Sequence, residues 1–276
     1  MIDFFKFIVK DSQIKIDKTK ILMEQSVNVQ TGEVPNYYSG EYQGLKIKLY
    51  ETGFLIVSGS LHKFFNKGEH NHNQFDLISI EQSLNRISEL LSTPLNQMIL
   101  QNLEFGLNLE VPFYPKAAID GFLYHNRVAP DIGFNGFYKE FKHNEYSIKL
   151  YDKSYQYKLN KRLLRCELRV IKSRWINKFL DIYTMNDLTD LDKLKGAKAT
   201  LITKIDEIIQ CYPMRVESVD KCEWRETLYW QKLDKRKRYQ ERKSLEKWKR
   251  NQIPDMPSLR RMIEDKFCCL TFSPFY

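Results

Sequence analysis

Three stretches of the chain alternate between large apolar and polar residues, and side chains on an extended strand point to opposite faces at every step. In Leu103-Glu104-Phe105-Gly106-Leu107-Asn108-Leu109 the odd positions are apolar, so Glu104 and Asn108 must face the other way. In Ile148-Lys149-Leu150-Tyr151-Asp152-Lys153 the aliphatic residues are even-numbered, which leaves Lys149, Tyr151 and Lys153 together. A third stretch puts Cys166, Leu168 and Val170 on one side and Arg165, Glu167 and Arg169 on the other. Each stretch predicts a strand with one core face and one polar face.

The rest of the pattern surrounds these strands. Met1 to about Lys10 reads as a strand, and KIKLY with FLIVSGS reads as a hairpin turning at Glu51, Thr52 and Gly53. Leu77, Ile80, Leu84, Ile87, Leu90 and Leu91 recur at helical spacing and predict an amphipathic helix over 76–91. Pro115 precedes an expected helix over Lys116 to His125, and the glycines and Pro130 that follow mark a loop leading to the strand pair Tyr146–Lys153 and Leu163–Ile171. From about Asp187 onward helical patterns dominate. The expected architecture is α+β, a central antiparallel or mixed sheet with flanking helices over residues 1–185, followed by a helical, basic C-terminal region over 186–276.

With 42% apolar residues, a chain of 276 residues buries a core without staples. The five cysteines (Cys166, Cys211, Cys222, Cys268, Cys269) lack paired metal-ligand spacing and read as reduced thiols of a cytoplasmic protein. No run of apolar residues is long enough to cross a membrane, and MIDFFKFIVK lacks the order of a signal peptide. The formal net charge of +9 favours a polyanionic partner, and its placement is uneven. From Lys232 to Arg250 ten basic residues stand against three acidic ones, contributing +7.

Were the three strands to share a sheet, their polar faces would gather two carboxylates, a phenol and several cations. Glu104 and Glu167 would suit a hard divalent cation, Mg²⁺ or Mn²⁺, which takes oxygen ligands and polarises a phosphate oxygen. A phenol with a free pKa near 10 is a poor nucleophile, and Lys149, Lys153 or a metal beside Tyr151 would activate it. The competing expectation is an ordinary exposed sheet face on which glutamates pair with basic residues across strands.

The same segments resemble the rolling-circle replication initiators of filamentous phages, the gene II/X type, and the related initiators of small plasmids. The resemblance lies in QNLEFGLNLEVPF, IKLYDKSYQY and LLRCELRVIKSRW, with VSGSLHKFFN and HNHNQF similar to the family's N-terminal portion, and runs from the first residues to about Trp175. It implies that Tyr151 of IKLYDK is a nicking tyrosine, that Lys153 accompanies it, and that Glu104 and Glu167 bind the metal. Asn108 stands where the plasmid pattern has a second acid, which leaves the number of carboxylate ligands open. His70-Asn71-His72 does not form the His-hydrophobe-His metal triplet of the better-known initiators and reads as a solvated loop, while His62 is a candidate third ligand or phosphate contact. Tyr155 and Tyr157, in the connection after the strand, are rivals to Tyr151.

The segment from Trp224 to Arg250 reads as a helical stretch whose Lys235, Arg236, Lys237, Arg238, Arg242 and Lys243 would lie along a phosphate backbone, together with Lys149, Arg165 and Arg169 of the sheet. A long solvated helix laced by pairs such as Glu241 with Lys237 is the plainer expectation. Removal of residues from about 224 is expected to weaken DNA binding and its salt dependence while leaving the catalytic constellation folded. The leading functional expectation is a metal-dependent endonuclease and strand transferase acting on origin DNA, single-stranded or supercoiled, with a host helicase as a further partner and no membrane. The alternatives are a non-catalytic DNA-binding protein that recognises an origin or operator, and an RNA-binding protein, the latter opposed by carboxylates on the polar face.

Overall fold

The computed structural model of the chain describes residues 1–10, 20–27, 29–211, 222–252 and 258–272. The fold is α+β: a nine-stranded antiparallel sheet with flanking helices and helices toward the C-terminus. Its strands are β1 (Ile2–Lys10), β2 (Tyr37–Tyr42), β3 (Leu45–Tyr50), β4 (Phe54–Ser60), β5 (Ile99–Glu110), β7 (Asp131–Gly133), β8 (Tyr138–Lys142), β9 (Tyr146–Asp152) and β10 (Leu163–Val170). They lie in the order β2-β3-β4-β1-β5-β10-β9-β8-β7, so the three alternating stretches, β5, β10 and β9, are adjacent in one sheet. A separate pair is formed by β6 (Phe122–Tyr124) and β11 (Ile209–Gln210).

The chain forms two compact units, and both draw residues from beyond position 185. The first comprises Met1–Gly106, Arg169–Thr200 and Phe267–Tyr276; the second comprises Leu107–Leu168 and Leu201–Lys266. In the first unit the β3–β4 hairpin closes through Gly53, whose φ of 79° suits a residue without Cβ. Two helices follow, α1 (Leu61–Phe65) and α2 (Leu77–Leu91). The Asp76 carboxylate caps α2 by accepting from the Ser79 N–H at 2.9 Å, and Ile80, Leu84, Ile87 and Leu91 are buried one turn apart. Each such burial contributes about 1.5–3 kcal/mol.

In the second unit α3 (Pro115–Asp120) is shorter than the helix expected over 116–125. The chain leaves it at Gly121, and Phe122, Leu123 and Tyr124 form β6 instead, all buried. The buried Lys139 ammonium donates to the Asp120 and Phe122 carbonyls at 2.9 and 2.8 Å, satisfying backbone groups where the helix ends. Burial pushes this ammonium down to about 8. Strand β8, not anticipated from its charged sequence, pairs with β9 so that Lys139 opposes Leu150 and Glu140 opposes Lys149. The Tyr/Lys-rich connection after β9 is a short helix, α4 (Lys153–Tyr157).

Helices α5 (Ser173–Leu180), α6 (Leu191–Asp206), α7 (Thr227–Lys232), α8 (Lys235–Gln252) and α9 (Leu259–Thr271) complete the chain. The basic helix α8 is not a wholly solvated rod. Its Leu245 and Trp248 join Trp224, Trp230, Leu123, Tyr124, Ile209 and Cys211 in one buried cluster. Glu241, expected to pair with Lys237, accepts from the Trp224 indole N–H at 2.8 Å. Removing residues from 224 onward would therefore strip apolar cover from β6 and β11 together with the basic residues of α8.

One polar network also holds the second unit. His125, fully buried, lies 2.7 Å from His143 and 3.1 Å from Glu207, which also accepts from Asn126 at 2.8 Å and Lys204 at 2.9 Å. Burial and then the His143 charge push His125 from 6.5 down to about 4. A histidine with a depressed folded pKa resists the proton that the unfolded chain accepts, so its stabilisation is complete above about pH 6.5 and is lost as pH falls toward 4. We predict a loss of roughly 2–3 kcal/mol between pH 7 and pH 4.5, read as a falling thermal midpoint whose slope is shallower in His125→Gln. A midpoint equally steep in the variant would remove His125 from this role.

Candidate active site

A bulge sets the geometry of the site. Strand β1 pairs with β5 so that Ile2 opposes Phe105 and Phe5 opposes Leu103, which leaves one extra residue in β1 between these pairs. Ile2 and Phe5 are consequently both on the core face, and Asp3 turns to the face that carries Glu104. Asp3 is held there by the Ser60 hydroxyl, which donates to its Oδ1, and by the Asn71 amide, which donates to its Oδ2 at 2.6 Å. Ser60 also accepts from the Lys63 N–H as the N-cap of α1.

Glu104 and Glu167 lie on the adjacent strands β5 and β10. Asp3, Glu104 and Glu167 are all buried, and each offers a carboxylate oxygen within 4.8 Å of the others. Three converging oxygens suit a hard divalent cation, and three like charges this close and this buried require compensation. Cations supply part of it. Arg169 lies 3.2 Å from Glu104, Lys149 donates to Glu167 Oε1 at 3.0 Å, and Arg165 donates to Glu167 Oε2 at 3.1 Å and to Asn108 at 3.3 Å.

Lys149, Arg165 and Arg169, expected along a DNA backbone, thus sit against the acids, and Arg165 is itself buried. His62 is not a member of the carboxylate cluster. Its ring stacks on Phe75 at 4.5 Å, and its Nε2 meets the Asn73 amide oxygen at 2.5 Å. The physical reason is its place on α1, two residues past Ser60, where its ring meets Phe75 and Asn73.

Tyr151 and Lys149 share a face of β9, and opposite them on β8 stand Tyr138 and Glu140. Tyr151 is nearly buried, and the fully buried Lys153 ammonium lies 3.4 Å from its hydroxyl and 5.2 Å from its ring centroid. Asp152, between them, caps α4 by accepting from the Tyr155 N–H, which turns the chain at the end of β9. Tyr155 is exposed on α4 and stacked flat on Phe137 at 3.8 Å, while the Tyr157 ring takes the other side of the Lys153 contact at 5.1 Å. A lysine at hydrogen-bond distance favours the phenolate that a nucleophile needs.

Three residues of this face were not anticipated. Asp3 is hidden by the bulge, Glu140 lies on an unpredicted strand, where it accepts from Ser147 at 2.6 Å and Tyr138 at 2.8 Å, and Asn71 belongs to the histidine-containing loop. That loop is partly packed: Asn71 is buried and the His70 and His72 rings stack at 4.2 Å. No protein-family model and no curated protein matches the chain.

Binding of a cation by the folded state alone stabilises it, by about 2.7 kcal/mol at a hundredfold excess over Kd. Mn²⁺ should therefore raise the thermal midpoint of the protein and should not raise that of Glu167→Gln or Asp3→Asn. Equal shifts in all three proteins would place the ion elsewhere.

Proposed function

We propose that this chain is a metal-dependent DNA-nicking and strand-transfer enzyme of replication initiation, with Tyr151 as nucleophile. The observation that carries the reading is the combination, on neighbouring strands, of a buried three-carboxylate cluster with a tyrosine whose hydroxyl meets a buried lysine. The resemblance of IKLYDK and RCELR to the rolling-circle initiators supports it. Asp3, Glu104 and Glu167 would hold Mg²⁺ or Mn²⁺, which when bound supplies charge to a phosphate oxygen. Tyr151 Oη forms the bond to phosphorus, the bond from phosphorus to the 3′ oxygen breaks, and the phenolic proton is released as the 3′ hydroxyl takes one up. The phosphodiester energy is retained in a 5′-phosphotyrosine. Lys153, beside the phenol, stabilises the oxyanion before attack and the charge on phosphate during it. Exposed Lys235, Arg236, Lys237 and Lys243 of α8 would add affinity for the DNA backbone without reading sequence.

One observation favours a second reading, a DNA-binding protein without catalysis. Both oxygens of Glu167 already meet cations, and Glu104 has Arg169, so the network is compensated by protein groups. A cation entering would compete with these partners for the carboxylate charge.

Tyr151→Phe keeps the ring and its packing and removes the oxygen that forms the bond. With supercoiled plasmid or origin-like single strands and Mn²⁺, the wild type should give a covalent protein–DNA adduct, and the variant should fall to background while still binding DNA. Tyr155→Phe and Tyr157→Phe should retain most activity. Peptide mapping of the adduct to position 155 or 157 would keep the reaction and move the nucleophile, and DNA binding with no adduct in the wild type would favour the second reading.

A further inference from the structure

The second unit contains an open cleft of about 260 Å³ lined by none of the residues of the proposed reaction. Two arginines of α8 build its wall and are committed to structure. Arg238 donates to the Trp230 and Leu233 carbonyls and lies 4.7 Å from the centroid of the Tyr124 ring. Arg242 donates to the Asp206 and Glu207 carbonyls, where α6 ends. Two further cations on the lining, Arg127 and Lys235, are exposed and make no ion pair among the described residues.

Arg127 is placed at a cost. Asn126 and Arg127 have φ of 42° and 72°, and the flanking residues His125 and Val128 bond to each other in both directions, forming a two-residue turn. Asparagine tolerates the left-handed region and is tied down by its bond to Glu207, whereas arginine at 127 carries strain that glycine would avoid. The turn therefore holds a long cation at the cleft in a conformation that its backbone disfavours.

The remaining lining has aromatic and acidic character. Tyr239 is 60% exposed, and it lines both this cleft and an adjoining groove along α8 that contains Lys243, Lys247 and Arg250. Lys243 lies 4.7 Å from its ring centroid. Glu207, fixed by His125, Asn126 and Lys204, would repel a phosphate and so reserves its end of the cleft for an uncharged group. Cations, an exposed ring and a continuing basic groove are the parts used to hold single strands, by phosphate contact and base stacking.

We infer that this cleft takes one unpaired nucleotide of a DNA single strand, with its base on Tyr239 and its phosphate on Arg127 and Lys235, while the strand continues along the groove of α8. The inference rests on the DNA-binding part of the reading above and not on nicking. A duplex cannot insert one base without unpairing it, so the site discriminates strand state and not sequence.

The test is equilibrium binding of the full chain carrying Tyr151→Phe, in EDTA, so that neither strand cleavage nor the carboxylate cluster contributes. The probes are a labelled short single strand, its duplex, and deoxyadenosine monophosphate. The single strand should bind more tightly than the duplex. Tyr239→Ala and the pair Arg127→Ala with Lys235→Ala should each weaken it about tenfold. Lys46→Ala, which removes an exposed cation of β3 outside both the cleft and the α8 groove, should leave it nearly unchanged. All four positions are exposed, and circular dichroism establishes that each variant folds. Equal binding of duplex and single strand, or a Lys46→Ala effect as large as that of Tyr239→Ala, would reduce the surface to diffuse charge and overturn the inference. The mononucleotide binding as tightly as the strand would overturn the assignment to a strand. Because the assay is blind to the phosphotyrosine, failure here leaves the nicking reading standing, and failure of nicking leaves this one.

Discussion

The bulge in β1 is the constraint on which the carboxylate cluster depends. A regular β1 would put Asp3 on the same face as Phe5, Phe7 and Val9, where a carboxylate has no partner and costs several kcal/mol to bury. One extra residue reverses the face and sets Asp3 beside Glu104, and the Ser60 hydroxyl and the Asn71 amide then fix both of its oxygens. Bulges commonly re-aim a side chain in this way at functional positions. The core residues Ile2 and Phe5 keep their burial on either side of it, so the reversal is accomplished without loss of apolar packing.

Charge compensation links that geometry to function. Arg169, Lys149 and Arg165 neutralise the glutamates, and removal of any one of these cations would leave a buried carboxylate with less compensation. The same pairs weaken the pull on a divalent cation, since carboxylate charge already met by a lysine or guanidinium attracts the ion less. On the proposed reading these cations would be close to a bound phosphate, which gives Lys149 and Arg169 a role on the substrate through the metal site and not through an open basic surface. Glu140, on β8 opposite Lys149, extends the acidic side of this network.

The parts of this arrangement that follow from strict period-two alternation were legible in the sequence. Glu104, Glu167, Tyr151 and Lys149 were assigned to polar faces because their strands alternate without interruption, and the sheet order makes those strands neighbours. The α2 helix was legible for the matching reason at period 3.6. Asp3 was not, because a bulge is a break in periodicity that only pairing reveals. Strand β8 was missed because Tyr138-Lys139-Glu140-Phe141-Lys142 buries a lysine on its core face, and that lysine is tolerated only by the carbonyls it meets at the end of α3. The packing of α8 was misjudged because its density of Lys and Arg outweighs two residues, Leu245 and Trp248, that are buried in the tryptophan cluster. Among the described residues no helix is long and apolar enough to cross a membrane.

The central claim is that Asp3, Glu104 and Glu167 form one cation site on the face that also carries Tyr151. Anomalous diffraction from crystals of the protein grown with Mn²⁺ tests it directly. The account predicts a manganese peak within coordinating distance of all three carboxylates. A peak at other residues, or none, would contradict it.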